Sequence, residues 1–286
     1  MAARLFHIFR NNPLGRETLL QSIYFCNRVG ATLVIYIPEH TKFLVYFEND
    51  AVQIDLDDSY LTSPQTALKH ATELVEQNGT PASFLNPTHY TASTLPDIAP
   101  NFDFMSCPRS ISDLTSKIGL GYLGPRVRRI INSARFPVLI TSPAYKAWNS
   151  IAVLCGGSAN VLNALKLGLR ICNVTGMPLD IFTHLEKESK EFYEKLIEEK
   201  NMKKKVRRRI NKWHTFEKGS FEENLYEIPH DALVVLGAYR HRLIKNIVLG
   251  GKMEKIQSTL PNNLLIAGPN YTEPNSSLPA WFPALG

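Results

Sequence analysis

Apolar residues in this chain fall into short runs that stop at glycine, proline or a small polar cluster, and between the runs they recur every three or four positions. The alternation is clearest in the second half. IAVLC (151–155) is a short apolar run of the kind that forms a buried strand, and it ends at Gly156-Gly157-Ser158. In ANVLNALKLGLRICNVTG (159–176), Val161, Leu162, Leu165, Leu169 and Ile171 lie at near-helical spacing, and Gly176 is placed to end the helix. LDIFTHL (179–185) is the next strand. Residues 187–209 read as one long exposed helix, with acids early and bases late as the helix dipole favours. INKWHTFEKG predicts a strand, SFEENLYEIP a short helix opened by Ser220, DALVVLGAY a strongly apolar strand, RLIKNIVLGGKMEKIQSTL a helix and NNLLIAGP a last strand. Strand and helix alternate throughout, which implies a parallel sheet with helices on both faces, because parallel strands require crossover connections.

The first half follows the same plan less cleanly. ARLFHIFR reads as a strand, PLGRETLLQSIYFCNRVG as a helix with a proline in its first turn, and ATLVIYIP as a second strand. Further on, SPQTALKHATELVEQNG predicts a helix, NFDFMSC a strand, SKIGLGYLGPRVRRIINSA a helix and RFPVLITSP a strand. Two echoes point to duplication: NRVGATLVIYIP with NVTGMPLDIFTH, and GPRVRRIINSARFPVLITSP with GGKMEKIQSTLPNNLLIAGP. The segment KFLVYFENDAVQIDLDD (42–58) has no counterpart, and its alternation on both sides of END reads as an inserted β-hairpin or a lengthened strand ending.

Composition limits the setting. The 286 residues with 44% hydrophobic content can bury a substantial core. No segment has the length of apolar sequence that a membrane-spanning helix needs, and the expectation is a cytoplasmic protein. The four cysteines, at 26, 107, 155 and 172, are scattered without metal-ligand spacing and read as buried free thiols. Much of the net charge of +6 comes from KKKVRRR (203–209). No stacking aromatics are interleaved there, so a solvated basic helix end is preferred over a nucleic-acid patch.

The strand–loop–helix stretch IAVLCGGSANVLNALKLGLRI, together with DALVVLGAYRHRLIKNIVLGG and its following LLIAGP, resembles the universal stress protein family. The resemblance covers nearly the whole chain and implies two such domains in tandem, residues 1–146 and 147–286. Each would be a doubly wound parallel sheet of order 3-2-1-4-5, of the adenine nucleotide alpha hydrolase type, and the two would pack as a pseudo-dimer. In the ATP-binding members an acidic residue ends the first strand, and a G-x2-G-x9-G-(S/T) loop after the fourth strand holds the phosphates. On that pattern Gly237 takes the first glycine, Arg240 stands at the second, Gly250 takes the third, and Gly251 replaces the hydroxyl residue. Gly156 replaces the aspartate, while Gly157 and Ser158 keep the following Gly-Ser. In the first half Arg10 lies near the aspartate position, Ser106 begins the loop region and Gly124 is followed by Pro125. Proline offers no N–H to a phosphate, so that half is expected to have lost nucleotide binding.

In doubly wound sheets ligands lie beyond the carboxyl ends of the strands, at the switch point. The loops at 155–158 and 237–240 are therefore expected to meet, with glycines permitting close approach and Arg240, Arg242 and Lys245 supplying charge. The resemblance implies a stress-linked binding or regulatory protein whose second domain takes ATP or another adenine nucleotide. The rival readings are a ligand-free module whose surfaces, including the hairpin at 42–58, recruit a protein partner, and an ATP-using enzyme; homo-oligomers could form through exposed edge strands under any of these readings. The last has little support. CGGSAN only partly matches the SGGxDS loop of ATP pyrophosphatases, and His184, His230 and His241 have no paired carboxylate or nucleophile at an informative spacing.

Overall fold

Asn12 accepts a hydrogen bond from the Gly15 backbone N–H through its side chain, Pro13 opens the first turn and Gly30 closes the last with φ 69°. These local signals define helix α1 (Pro13–Val29), between strands β1 (Arg4–Ile8) and β2 (Thr32–Tyr36). The computed structural model describes residues 2–56, 63–91, 95–99, 101–109, 111, 123–156, 161–185, 188–238 and 251–273. The first half continues with β3 (Lys42–Phe47), β4 (Asp50–Asp55), α2 (Pro64–Gln77), β5 (Ala82–Leu85), β6 (His89–Tyr90), β7 (Pro96–Ile98), β8 (Phe104–Cys107), α3 (Pro125–Ser133) and β9 (Val138–Ile140). The second half consists of β10 (Ser150–Leu154), α4 (Val161–Thr175), β11 (Leu179–His184), α5 (Lys190–Glu199), α6 (Lys203–Arg209), β12 (Ile210–Phe216), α7 (Phe221–Leu225), β13 (Ala232–Gly237), α8 (Gly251–Thr259) and β14 (Leu264–Ala267).

Ten of the strands form one sheet in the order β12-β11-β10-β13-β14-β9-β8-β1-β2-β5. Counted within each half, both sets of five follow the order 3-2-1-4-5, read from opposite edges. Neighbours pair in parallel except at the centre, where β14 meets β9 antiparallel with Leu265 opposite Leu139. Both faces of the sheet are buried. Leu5, Leu33, Ile151, Val153 and Val235 join the inward residues of α1, α2 and α4 on one face. Phe6, Met105, Ala152, Val234 and Ile266 join those of α3, α7 and α8 on the other. This double coverage explains why the strands read as apolar runs rather than as alternating patterns.

Two departures from the sequence reading have physical causes. The stretch 187–209 is two helices, not one, because Asn201 takes φ 55° between α5 and α6. Asparagine tolerates the left-handed region better than most residues, and the chain turns there. β5, the third strand of the first half, escaped the reading: it is short, lies at the sheet edge and is only half-buried over most of its length. Segment 42–58 forms the hairpin β3–β4 as far as the described residues reach, and it belongs to a separate four-stranded sheet of order β4-β3-β7-β6. All four cysteines are free and buried.

That hairpin docks on the first half. Phe43, Val45, Val52 and Ile54 are buried, and Phe43 meets Tyr36 edge-on at 5.0 Å. Its acidic residues face α3. Asp50 accepts from Arg129 Nε at 3.0 Å and from Ser133 Oγ at 2.6 Å, and Asp55 pairs with Arg126, whose Nε also reaches the Gln53 carbonyl at 3.1 Å. The bond from Arg129, ahead of the other contacts, lowers the Asp50 pKa to about 2, so the clamp stays ionised at neutral pH.

After β14 the chain turns tightly against α3. A Cβ on Gly268 would lie 1.9 Å from the Ile131 carbonyl oxygen, a rigid backbone atom. Gly268→Ala is therefore expected to cost about 2–3 kcal/mol of stability. Chemical denaturation would check this, and an unchanged midpoint would contradict the packing described.

Candidate functional site

Every parallel strand of the second half ends on the same side of the sheet, and there a pocket opens between β10, β11, β12 and β13 on one side and α7 and α8 on the other. The crossover from β10 to β11 runs through α4 on one face, whereas that from β13 to β14 ends in α8 on the other. The gap between β10 and β13 is thus the topological switch point, where an α/β sheet leaves a crevice for a ligand.

Among the described residues, nine of the fifteen that line the pocket are aliphatic, aromatic or methionine side chains and none is acidic. Its wall is built from strand ends and helix starts: Leu154 and Leu236 from the central strands, Phe182 and Phe216 from the outer ones, Phe221 and Leu225 from α7, and Met253 and Ile256 from α8. Phe182 is backed by His214, whose ring is stacked on it at 4.5 Å and nearly parallel, and His214 is stacked in turn with Phe216 at 6.5 Å. α7 opens at Ser220, as the sequence reading expects, and is held in place by a capping box in which Ser220 and Glu223 bond each other's backbone.

The polar groups are few. Asn224 Nδ2 lies 2.7 Å from His184 Nδ1 and donates to the Lys218 carbonyl at 3.3 Å. Lys252, in the first turn of α8, holds its ammonium 5.4 Å from the Phe221 ring. Lys255, one turn on, is paired with Glu222 at 2.6 Å, and that bond holds the carboxyl below its usual range. Burial pushes the Cys155 thiol up to about 12, so it is no nucleophile at neutral pH despite its place in the wall.

Of the residues singled out in the sequence, Gly156 and Gly237 line this one pocket, although 80 positions separate them, and Gly251 begins α8 beside it. A Cβ on Gly156 would come no nearer than 3.7 Å to the His184 carbonyl oxygen, so no close approach requires glycine there. Gly157, Ser158, Arg240 and Gly250, with Arg242 and Lys245, lie outside the described residues. Sequence reasoning missed the aromatic wall. The available signal was positional: Phe182 and Phe216 sit near the carboxyl ends of β11, which flanks β10, and of β12 beyond it, on the side of the sheet where a switch-point ligand lies.

Strand register gives the matching positions in the first half. Phe9 N–H bonds the Tyr36 carbonyl just as Cys155 N–H bonds that of Phe182, both at 2.9 Å. Arg10 therefore stands at the position of Gly156 and Tyr36 at that of Phe182. By the same registry Ser106 matches Val235, and Pro108 takes the place of Gly237. Arg10 is buried, with Nη1 3.4 Å from the Ile111 carbonyl.

Among the described residues no group of three or more His, Cys, Asp and Glu side chains could hold a metal ion, and no helix is long and apolar enough to cross a membrane.

Neither a protein-family model nor a curated protein matches the sequence. Solved structures do match in fold. A universal stress protein from Archaeoglobus fulgidus DSM 4304 superposes with a TM-score of 0.61 at 16% identity, over 93% of this chain and 98% of that one. A putative universal stress protein from Pseudomonas aeruginosa UCBPP-PA14 gives 0.56 at 11%, over 94% of each chain. A functionally unknown protein from Pseudomonas aeruginosa PAO1 gives 0.54 at 10%, over 94% and 93%. The architecture is therefore an α/β fold shared with universal stress proteins.

Proposed function

We propose that the chain is a stress-linked binding and regulatory protein of the universal stress protein type, with two such domains, 1–146 and 147–286, packed as a pseudo-dimer through β9 and β14. The second domain holds ATP or another adenine nucleotide, and no reaction is carried out on it. One observation carries this reading: Gly156, Gly237 and the first turn of α8 converge on a single aromatic-walled pocket at the switch point. A flat base fits against Phe182, whose ring His214 holds from behind. Glycine at both strand ends leaves the backbone accessible to phosphates, and Arg240, three positions after β13 in the sequence, adds a fork-shaped donor. With Arg10 and Pro108 at the matching positions, the first domain serves as packing partner.

Calorimetry with ATP should give saturable heat, weakened about tenfold by Arg240→Glu, a loss of about 1.4 kcal/mol. No heat at millimolar ATP would remove the nucleotide from the account.

A further inference from the structure

The helix that walls the pocket is held at its far end by the other half of the chain. α8 has nine residues, a length of about 13 Å, and its first turns carry Met253 and Ile256 into the pocket wall. At its carboxyl end the partners change. The Gln257 side chain, buried, accepts the Leu123 N–H through Oε1 at 2.7 Å. Arg109 Nη1 donates to the Gln257 carbonyl, and its Nη2 donates to the Leu260 carbonyl at 2.7 Å. Arg109 and Leu123 both belong to the first half, and the Gly124 N–H bonds the Arg109 carbonyl at 2.8 Å, so the two anchors are tied to each other. The ion pair of Lys255 with Glu222, which links α8 to α7 within the second half, is exposed and contributes little by comparison.

Adhesion between the halves does not by itself call for an arginine here. Burial lowers the Arg109 pKa, and its Nε finds no hydrogen-bond partner among the described residues. An apolar contact of the same volume would hold the halves together at least as well as a buried cation. What the guanidinium supplies is direction: two N–H groups in a rigid fork, set on the carbonyls of residues 257 and 260, fix the rotation and the axial position of the helix. We infer that Arg109 is a positioning residue for the pocket of the second half, acting through α8, so that the first half sets how tightly the second half holds its ligand. By reciprocity, an occupied pocket alters the joint between Arg109 and α8, and the first half registers it. The effect on affinity rests on the reading that this pocket binds a nucleotide; the placement of α8 does not.

The test is methyl NMR of the full chain labelled with carbon-13 methyl methionine, without and with ATP. Met253 reports the pocket wall and Met105, on β8, the first half; both pack on one face of the sheet, while Met177 and Met202 pack on the other and serve as controls. In the free protein Arg109→Gln should displace the Met253 resonance and leave those of Met177 and Met202 in place. Arg109→Lys, which keeps the charge without the fork, should displace it in the same direction by less, and decides the matter should Arg109→Gln fail to fold. ATP should move Met105 as well as Met253 in the wild type, and Arg109→Gln should abolish the Met105 response and weaken ATP binding at least tenfold. A Met253 resonance that neither variant moves, controls displaced as far as Met253, or ATP bound equally by the wild type and Arg109→Gln overturns the inference. If the variants move Met253 alone among the second-half methionines and no ATP binds at millimolar concentration, the placement of α8 by the first half stands and the nucleotide reading falls.

Discussion

Replacing Trp148 by alanine is expected to cost about 4 kcal/mol and to lower the melting temperature by about 10 °C. Trp148 lies in the connection between β9 and β10 and is 2% exposed, among the largest fully buried side chains in the molecule. Its ring meets Tyr24 edge-on at 5.6 Å and Phe25 at 6.4 Å, both on α1, and its carbonyl accepts the Tyr24 hydroxyl. It belongs to the same buried cluster as α4 of the second half, so the connecting segment is anchored in a core that both halves share. Polar contacts also tie the two halves together. Asn263 accepts from the Ser142 N–H at 2.9 Å and donates to Gln21 at 2.9 Å, and Arg109 reaches the Gln257 and Leu260 carbonyls at the carboxyl end of α8. A cation there meets the negative end of the helix dipole. Trp148→Phe, which refills much of the volume, should recover most of the loss. Thermal denaturation followed by circular dichroism would show it, and a Trp148→Ala protein melting within 2 °C of the wild type, about 0.8 kcal/mol by the same scaling, would contradict a shared core.

The second large effect is one of pH. His7, on β1, is 1% exposed; its Nδ1 lies 2.9 Å from Ser22 Oγ, which is 2.8 Å from Ser106 Oγ, and its Nε2 finds no hydrogen-bond partner among the described residues. Burial, with a smaller contribution from the Arg10 charge, lowers its pKa from 6.5 to about 3. The folded state thus holds the imidazole neutral while the unfolded chain protonates it. Stability from this group is complete above pH 6.5 and is lost as pH falls from there toward about 3, by about 1.4 kcal/mol per unit and roughly 3 kcal/mol by pH 4. Denaturation at a series of pH values should show that slope in the wild type and its removal in His7→Asn. Equal slopes in the two proteins would show that His7 is not buried neutral.

How much of this was readable in advance depends on burial. IAVLC and DALVVLG announced themselves because β10 and β13 lie at the middle of a sheet covered on both faces, where every position is apolar and glycine marks the exit. β5 did not, because an edge strand has one neighbour and needs fewer apolar residues. The break at Asn201 was hidden by flanks that are both good helix formers; only the single asparagine signalled the turn. At the site, Gly156 and Gly237 were legible as breaks in the pattern, and their convergence followed from topology. Phe182 and Phe216 were not distinguishable from core residues, since an aromatic that walls a pocket and one that fills a core have the same sequence environment. The role of segment 42–58 was equally closed to the sequence: that Asp50 and Asp55 answer Arg129 and Arg126 is a tertiary fact linking positions more than 70 residues apart.

The central claim is that one nucleotide occupies the second half and none the first. Photoaffinity labelling with 8-azido-ATP, followed by peptide mapping, tests it most directly. The account predicts one label per chain, carried by residues 182–228 or 252–256 around the aromatic wall, and suppressed by excess ATP. Labelling of the first half around Tyr36, or labelling that excess ATP leaves unchanged, would contradict it.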